Sequence, residues 1–231
     1  MLQTKFKYLI ISTLLLLISF SNLQGQGSSG LDIQPLTKFI IKTNFRIPFA
    51  THNPFFSKTA EGVVEMSGSL NYSPLKNFYV GAGYKYTYYK LSEIKLNASP
   101  NERYNAKIQL PGFYGELSYF FPVYDNFLIE GNLQMGQESI LSTSQSCISS
   151  GIEHKKKGLF VTPNLNFHLL TQEAFFFYFS LGYTFSSHGL NPSDLCETEF
   201  SGFGDESYNG NYNSLNVGFG IGISIFKSTD R

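Results

Sequence analysis

From residue 36 onward, apolar and polar side chains alternate along the chain, and clusters of turn residues interrupt the alternation at regular places. Successive side chains of a β-strand point to opposite faces of its sheet, so this alternation predicts strands. The pattern predicts eight strands, with approximate bounds at residues 37–49, 62–73, 77–91, 106–121, 126–140, 157–170, 174–187 and 211–226.

The connections between these strands alternate in length. The tight turns lie at residues 73–77, 122–126 and 170–173. The long connections, rich in Ser, Asn, Gly, Pro and charge, lie at residues 50–61, 92–105, 141–156 and 188–210. Short periplasmic turns and long outer loops are typical of outer-membrane barrels. The sequence therefore predicts an all-β fold, an eight-stranded antiparallel up-and-down transmembrane β-barrel with both chain ends in the periplasm.

The two faces of each predicted strand differ in chemistry. In the first strand, Phe39 and Phe45 share one face, while Lys42 and Arg46 share the other. The charged residues that fall on polar faces are Lys38, Lys42, Arg46, Glu65, Lys85, Glu116, Glu130 and Glu138. A cation facing lipid at the bilayer midplane would cost about 2–4 kcal/mol. This placement indicates that hydrocarbon surrounds the apolar faces.

A soluble β-sandwich would also alternate and is the alternative to a barrel. The water-facing sides of a sandwich should carry many Lys and Glu residues, whereas the polar faces here are dominated by Asn, Ser, Gly and Thr. Tyrosines near strand ends on the apolar faces suit interfacial girdles. They are Tyr72, Tyr88, Tyr119 and Tyr183. Both features favour the barrel.

The fourth predicted strand departs from the pattern. Ile108 and Leu110 are out of phase with Phe113. The intervening Pro111–Gly112 would permit a β-bulge or the exit of the strand from the bilayer. In the sixth strand, Pro163 removes one hydrogen-bond donor from the sheet.

The N-terminal residues have the features of a secretory signal peptide. Lys5 and Lys7 precede an apolar stretch at residues 9–20, which is shorter than the roughly 20 residues of a spanning helix. An uncleaved membrane anchor is the alternative. No cysteine directly follows the apolar stretch, so a lipoprotein anchor is not indicated. The predicted organisation is a signal peptide at 1–25, an extension at 26–35, the barrel at 36–226 and a tail at 227–231.

Composition narrows the possible partners. The 17 basic and 17 acidic residues balance, and the pI is near 6.9. Because such a chain has no basic surface for a phosphate backbone, we expect no nucleic-acid partner. The 23 Phe and 15 Tyr residues suit aromatic belts around a barrel.

The last predicted strand alternates from Asn216 and ends in an aromatic residue, Phe226. Together with the turns and loops, this pattern resembles the outer-membrane β-barrel protein family, the small eight-stranded barrels common in Bacteroidota and related in architecture to the OmpA transmembrane domain. The resemblance covers residues 36–226. It implies a place in the cell outer membrane, contact with membrane lipid and lipopolysaccharide, and insertion by the barrel assembly machinery. Residues 227–231 after Phe226 depart from the usual terminal signal.

The interior of an eight-stranded barrel is just wide enough for side chains to fill it. The inward ions should therefore pair across the barrel, the condition under which buried charges are tolerated. The predicted network comprises Lys42, Arg46, Glu65, Lys85, Glu116 and Glu130. It serves either as a structural plug or as a polar gate or binding site.

Two further features lie at or near the long loops. Cys147 and Cys196 fall in adjacent loops, where an exported protein meets oxidants, so they either form a disulfide or remain two unpaired thiols. The acidic residues of the last loop, which begin at Asp194, lack the spacing of a calcium loop, and a solvated loop is expected.

Candidate chemistry is weak. His168 lies on the polar face of the sixth strand, Ser186 lies at the end of the seventh predicted strand, and His188 begins the last loop. Outer-membrane lipid A deacylases and palmitoyltransferases use a His with a Ser and a carboxylate, but these residues match neither family's motif. We therefore expect no catalytic residue, no metal and no cofactor.

The predicted function is that of a non-enzymatic outer-membrane barrel with a plugged polar lumen, in a structural, adhesive or ligand-binding role through its outer loops. The alternatives are a lipid-modifying enzyme, a component of secretion or assembly machinery, and small-molecule transport. Neither an extracellular nor a periplasmic protein partner is specified by the sequence.

Overall fold

The structure is a computed structural model that describes residues 37–91, 106–124, 126–144, 154–171, 174–195, 203–208 and 210–225. The strands are β1 (Phe39–Thr51), β2 (Ala60–Leu75), β3 (Phe78–Leu91), β4 (Lys107–Tyr124), β5 (Phe127–Thr143), β6 (His154–Leu170), β7 (Phe175–Ser186) and β8 (Asn213–Ile225). A short helix, α1 (Pro54–Thr59), connects β1 to β2, and two 3₁₀ helices, Pro192–Leu195 and Asp205–Tyr208, lie between β7 and β8.

The eight strands form one closed antiparallel barrel, in which each strand pairs with its neighbours in sequence and β8 pairs with β1. Followed from strand to strand, the positions paired with Ile41 lead back to β1 at Thr51, ten residues farther along. This offset tilts the strands relative to the barrel axis and closes the sheet without an exposed edge. The predicted fold class is confirmed.

The strands differ from the prediction mainly at the long-loop end. β5 continues to Thr143 and β6 begins at His154, so both extend beyond the predicted ends at 140 and 157. The segment 50–61, predicted as a loop, contains α1, whose first turn is capped by a hydrogen bond of 2.9 Å from Phe56 N to Asn53 Oδ1. Within the described residues, no helix has the length and apolar character needed to cross a membrane.

Apolar side chains cover the outside of the barrel. Phe45, Tyr84 and Phe219 expose 41%, 43% and 64% of their surface, whereas Arg46 exposes 2% and Glu130 none. In a soluble sandwich these aromatic rings would lie between two sheets and would be buried. The sandwich alternative is therefore wrong.

β4 runs unbroken through Pro111–Gly112, so of the two possibilities left open by the sequence, the bulge is wrong. The pairs with β3 and with β5 keep one register across this point. Ile108 and Leu110 face the lumen and are almost fully buried. The change of phase in the sequence therefore reflects a change in the interior from polar to apolar. Pro163 does interrupt the pairing of β6 with β7, which resumes at Asn164 in the same register.

The long-loop end of the lumen is closed by a cluster of apolar side chains, which we call the apolar plug. Phe55 and Phe56 of α1 contact the rings of Tyr208 and Tyr89, with centroids 5.1 and 4.9 Å apart. The plug consists of Phe55, Phe56, Ala60, Tyr89, Leu91, Ala106, Ile108, Leu110, Ile140, Leu190, Leu195, Tyr208 and Tyr212. Alternation predicts a polar lumen, but this end is apolar because the connecting segments fold back and bury their hydrophobic residues there.

Glycines line the inner face of β8 because large side chains lie directly over it. A Cβ on Gly222 would lie 1.9 Å from the Phe176 ring, and one on Gly220 would lie 2.1 Å from the Tyr178 ring. Both rings come from the paired positions on β7. The Tyr178 hydroxyl reaches across β8 and donates to the Thr43 carbonyl at 2.8 Å. The glycines thus leave room for a layer of aromatic rings at the short-turn end.

Candidate functional site

Ions that face the lumen pair with one another in a set of contacts that we call the lumenal network. At its short-turn side, Lys42 Nζ of β1 lies 2.6 Å from Glu130 Oε1 of β5 and 2.9 Å from Glu116 Oε1 of β4. Ser69 Oγ donates to Glu116 at 3.1 Å, and Gln134 Nε2 donates to it at 3.2 Å. One ammonium group is therefore shared by two carboxylates.

Glu130 also connects the network to the aromatic layer. His168 Nε2 lies 2.8 Å from Glu130 Oε2, and Asn166 Nδ2 donates to the same oxygen at 2.8 Å. The imidazole of His168 stacks on the Tyr178 ring with centroids 4.8 Å apart and lies 5.2 Å from the Phe176 ring. His168 is therefore a buried partner of a carboxylate, enclosed by aromatic rings inside the barrel.

A second ion pair lies midway along the lumen. Arg46 of β1 pairs with Glu65, which occupies the opposite position on β2. Arg46 Nη1 also donates to Asn164 Oδ1 of β6 at 2.5 Å, and Thr87 Oγ1 donates to Glu65 at 3.1 Å. Because both ions are almost fully buried, these contacts replace the water that would otherwise solvate them.

The third pair lies beneath the apolar plug. Lys85 Nζ of β3 is 2.8 Å from Glu138 Oε2 of β5 and 3.3 Å from the centroid of the Phe160 ring. The ring face adds a cation–π contact to the ion pair. All six residues predicted for the network thus face the lumen and take part in it. Alternation also placed Glu138 inward, but which carboxylate meets Lys85 depends on side-chain reach.

Glu138 also anchors the connection between β7 and β8. Its Oε1 accepts hydrogen bonds from the Tyr212 hydroxyl at 2.6 Å and from Ser186 Oγ at 2.9 Å. His188 Nε2 lies 3.6 Å from the same oxygen, and the His188 ring centroid lies 5.1 Å from that of Tyr212. We call Glu138, Ser186, His188 and Tyr212 the loop anchor.

The two titratable loop residues of the anchor are shifted toward their neutral forms. Burial lowers the pKa of His188 below its ordinary value of 6.5; Lys85 lowers it further and Glu138 opposes the shift. Burial raises the pKa of Tyr212 well above its ordinary value of 10.0, and the Glu138 carboxylate raises it further. At neutral pH the anchor therefore contains a phenol that donates and an uncharged imidazole.

Ser186, His188 and Glu138 resemble a catalytic triad in composition but differ from one in arrangement. Ser186 Oγ lies 3.1 Å from His188 Nδ1, yet it also donates directly to Glu138. In a triad the carboxylate orients the imidazole, and the imidazole alone activates the serine. Here Ser186 is buried on the inner wall, and Glu138 is paired with Lys85. This geometry fits a structural anchor better than a nucleophile.

The first 3₁₀ helix between β7 and β8 is fastened to the rim of the barrel. Ser144 Oγ donates to the Leu195 carbonyl at 2.6 Å, and Ser142 Oγ donates to the Asp194 carbonyl. Lys156 Nζ lies 2.5 Å from the Asp194 carboxylate. Asp194 exposes only 2% of its surface. The expectation of a solvated acidic loop is therefore wrong for Asp194, because rim hydroxyls and a lysine satisfy its polar groups.

The described part of the lumen is filled rather than open. The side chains of the network leave a polar cavity of about 10 Å³, lined by residues such as Lys42, Glu116 and Tyr178. That volume holds about one water molecule. The apolar plug fills the lumen above this cavity, and the aromatic layer of Phe176 and Tyr178 narrows it below.

Two predictions from the sequence concern loop chemistry. In the part of the chain that the structure describes, no three His, Cys, Asp or Glu side chains come together as a metal site. Cys147 and Cys196 lie outside the described residues. Their disulfide remains a prediction.

A closed eight-stranded antiparallel barrel with an apolar outer face and paired lumenal ions has the architecture of the small outer-membrane barrels. No protein-family model matches the sequence, and no curated protein matches it. Among solved structures, the chain is similar to Neisserial surface protein A (NspA), with a TM-score of 0.53 and 10% identity, covering 82% of this chain and 98% of that one.

Two further solved structures are similar to a lesser degree. Ail, the attachment invasion locus protein of Yersinia pestis, has a TM-score of 0.45 at 9% identity, with 81% of this chain and 99% of that one covered. OprG from Pseudomonas aeruginosa has a TM-score of 0.42 at 13% identity, with 83% and 98% covered. At such identities the likeness concerns the fold alone.

Proposed function

We propose that the protein is a non-enzymatic barrel of the outer membrane, exported by its residues 1–25 and related to the small barrels common in Bacteroidota. Its lumen is a structural plug, and its long outer loops carry a structural, adhesive or ligand-binding role. The observation that carries this proposal is the contrast between the two faces of the wall. Phe113 and Leu159 expose 73% and 63% of their surface outward, while the ions of the lumenal network are buried and paired inside.

Physical reasoning supports a lipid environment for the outer face. Monomeric soluble proteins rarely expose contiguous apolar patches larger than a few hundred Å². Here large apolar side chains are exposed on every strand. Contact with hydrocarbon removes the unfavourable exposure of these side chains to water. The closed sheet pairs its backbone N–H and C=O groups without water. Insertion by the barrel assembly machinery, which recognises a final strand, is part of the proposal.

The decisive experiment is membrane fractionation combined with gel migration before and after heating. A folded outer-membrane barrel resists detergent and migrates differently once heat unfolds it. We expect the mature protein in the outer-membrane fraction with such a shift. A periplasmic product without the shift would overturn the proposal.

A lipid-modifying enzyme is the second candidate, favoured by the 3.1 Å contact between Ser186 Oγ and His188 Nδ1. The test compares Ser186→Ala and His188→Asn with Ser187→Ala, whose hydroxyl accepts from Leu159 N away from the anchor. The readout is the acylation of lipid A in cells that express each form, measured by mass spectrometry. We expect identical lipid A in all forms. A change in acylation that depends on Ser186 and His188 would establish the enzyme instead.

A further inference from the structure

Four lysines on the long-loop end of the barrel point outward rather than into the lumen. They belong to β3, β4 and β6 and are all exposed. We call them the basic rim: Lys90, Lys107, Lys155 and Lys157. The other charges of the described strands occupy lumen-facing positions, with the exception of Glu61, which lies opposite Lys90 on β2.

The pairing of the strands brings these lysines together on one side of the barrel. Lys90 lies directly opposite Lys107 in the pairing of β3 with β4. On the next two strands, Lys107 lies opposite Thr143, and Lys155 lies opposite Leu141. Like charges in directly opposed positions repel each other. One carboxylate, Glu61, lies opposite Lys90 on β2, whereas the positions opposite Lys107 on β5 and opposite Lys155 and Lys157 hold none. An anion beside these three lysines would reduce the repulsion.

The rim lies at the edge of the apolar outer surface. Tyr88 precedes Lys90 by two residues on the same face of β3, and Leu159 follows Lys157 by two residues on the same face of β6. Side chains two residues apart on a strand point the same way. The ammonium groups are therefore carried just beyond the hydrocarbon boundary, at the level of the lipid headgroups and on the side of the long outer loops.

The four lysines of the basic rim differ from the neighbouring Lys156 in their lack of an ion-pair partner among the described residues. Lys156, between Lys155 and Lys157, turns inward and pairs with Asp194 at 2.5 Å. For the four outward lysines, no ion pair or hydrogen bond joins their ammonium groups to another described residue. Glu61 lies opposite Lys90 on β2, so one carboxylate borders the rim.

The rim is also one-sided. The corresponding outward positions of β7, β8 and β1 carry Phe185, Asn213, Phe49 and Thr51, and no cation lies there among the described residues. A uniform ring of charge would suit general attraction to a membrane surface. A sector that spans β3 to β6 instead suits a headgroup bound at one place on the circumference.

We propose that the basic rim binds the phosphate groups of a phosphorylated glycolipid of the lipopolysaccharide type in the outer leaflet; this inference rests on the proposed membrane location. The lysines point sideways, into the plane of the headgroups, whereas a soluble partner would approach along the barrel axis over the loops. Each lysine near an anionic lipid surface contributes about fivefold in affinity. The rim therefore gives the barrel a preferred lipid neighbour.

The test uses the full mature chain in phosphatidylcholine nanodiscs that contain bisphosphorylated lipid A or its dephosphorylated form. Retention of lipid A by the protein is measured by native mass spectrometry. Lys107→Gln with Lys155→Gln should reduce retention of the phosphorylated form by at least about tenfold. The matched control is Lys38→Gln with Lys76→Gln, which removes the same charge from exposed positions at the short-turn end.

The outcomes separate this inference from the proposed function. The assignment would be overturned if both double variants retained lipid A equally, or if the wild type retained the dephosphorylated form as well as the phosphorylated form. In a further arm, added phosphatidylglycerol competes with lipid A. Displacement by phosphatidylglycerol as effective as displacement by lipid A itself would also overturn the assignment. Lysine-dependent binding of a soluble polyanion without binding of lipid A would assign the rim to another partner. If the wild-type chain did not insert into nanodiscs and showed no shift in gel migration on heating, the membrane location would be contradicted instead.

Discussion

Gly158 lies directly beneath the imidazole of His188, so that a Cβ on this glycine would come within 1.8 Å of Nδ1. Gly158 is paired with Glu138 across β5 and β6. The missing side chain therefore lets the imidazole lie against the barrel wall beside Ser186. We expect Gly158→Ala to push His188 away and to loosen the loop anchor while leaving the barrel closed.

Hydrogen exchange measured by mass spectrometry can detect this loosening. Residues 187–191, which follow β7, should exchange faster in the variant, because local opening requires fewer contacts to break. Gly115→Ala is the control, since the nearest atom to its added Cβ is 3.8 Å away. If both variants exchange like the wild type, the contact does not hold the loop.

Acidification should loosen the same loop. The pKa of His188 in the anchored state lies below 6.5, so the released state binds a proton more readily between these two values. The anchor is therefore at full strength above about pH 6.5 and weakens as the pH falls below that value. The charged groups that face His188 are Glu138, Lys85, Lys156 and Asp194.

The measurement is the exchange rate of residues 187–191 at about pH 7.5 and about pH 5.5, corrected for the intrinsic effect of pH. His188→Gln removes the titrating group and should abolish the difference between the two conditions. A difference that persists in this variant would show that His188 is not the group whose protonation loosens the loop.

The faces of the strands could be predicted from sequence because facing depends on local geometry only. Side chains alternate between the two faces of a strand, so Lys42 and Phe45 lie on opposite faces independently of the rest of the chain. Which ions pair is a different matter. Lys42 meets Glu130 from the opposite wall of the barrel, and that contact depends on the ten-residue offset around the closed sheet. Alternation carries no information about that offset.

The apolar plug is not predicted by the alternation, because most of its residues lie in predicted loops or at the irregular start of the fourth predicted strand. Asn53 followed by Pro54 is a recognisable helix start, since Asn caps the first turn and Pro suits its first position. That signal could have shown that Phe55 and Phe56 form a short buried helix. The destination of its rings, inside the barrel, depends on tertiary structure alone.

The outward lysines are a second feature that the inward placement of charges does not predict. Lys90 and Lys107 fall on the apolar faces of their predicted strands, in conflict with the inward placement of the other charges. Both lie at strand ends, where the bilayer gives way to headgroups and the cost of an outward cation falls to about 0–1 kcal/mol. The depth of a strand position in the bilayer therefore determines whether a charged side chain there must face the lumen.

Removal of the Lys42 ammonium should destabilise the barrel strongly. Lys42→Met would leave Glu116 and Glu130 facing each other without the cation that they share. Loss of one partner from a buried ion pair costs about 3–5 kcal/mol. We expect a decrease of that size in the free energy of unfolding, measured by urea titration in lipid and followed by circular dichroism.

Two further variants determine whether the loss comes from the unpaired carboxylates. Lys38→Met removes a cation from an exposed position before β1 and should have little effect. Addition of Glu130→Gln to Lys42→Met should recover part of the stability, because one of the two buried charges is then removed. A Lys42→Met protein as stable as the wild type would contradict the network as a source of stability.

The glycines of β8 should be required for space rather than for backbone freedom. Gly222 has no positive φ, so the obstacle to an alanine there is the Phe176 ring, whose nearest atom would lie 1.9 Å from the added Cβ. We expect Gly222→Ala to lower the free energy of unfolding by about 1–3 kcal/mol, as overpacking does, and Phe176→Leu in the same chain to recover part of the loss. Gly131→Ala, whose nearest neighbour would be 3.9 Å away, should be tolerated. Effects of Gly222→Ala and Phe176→Leu that simply add would show that the ring and the glycine do not compete for the same space.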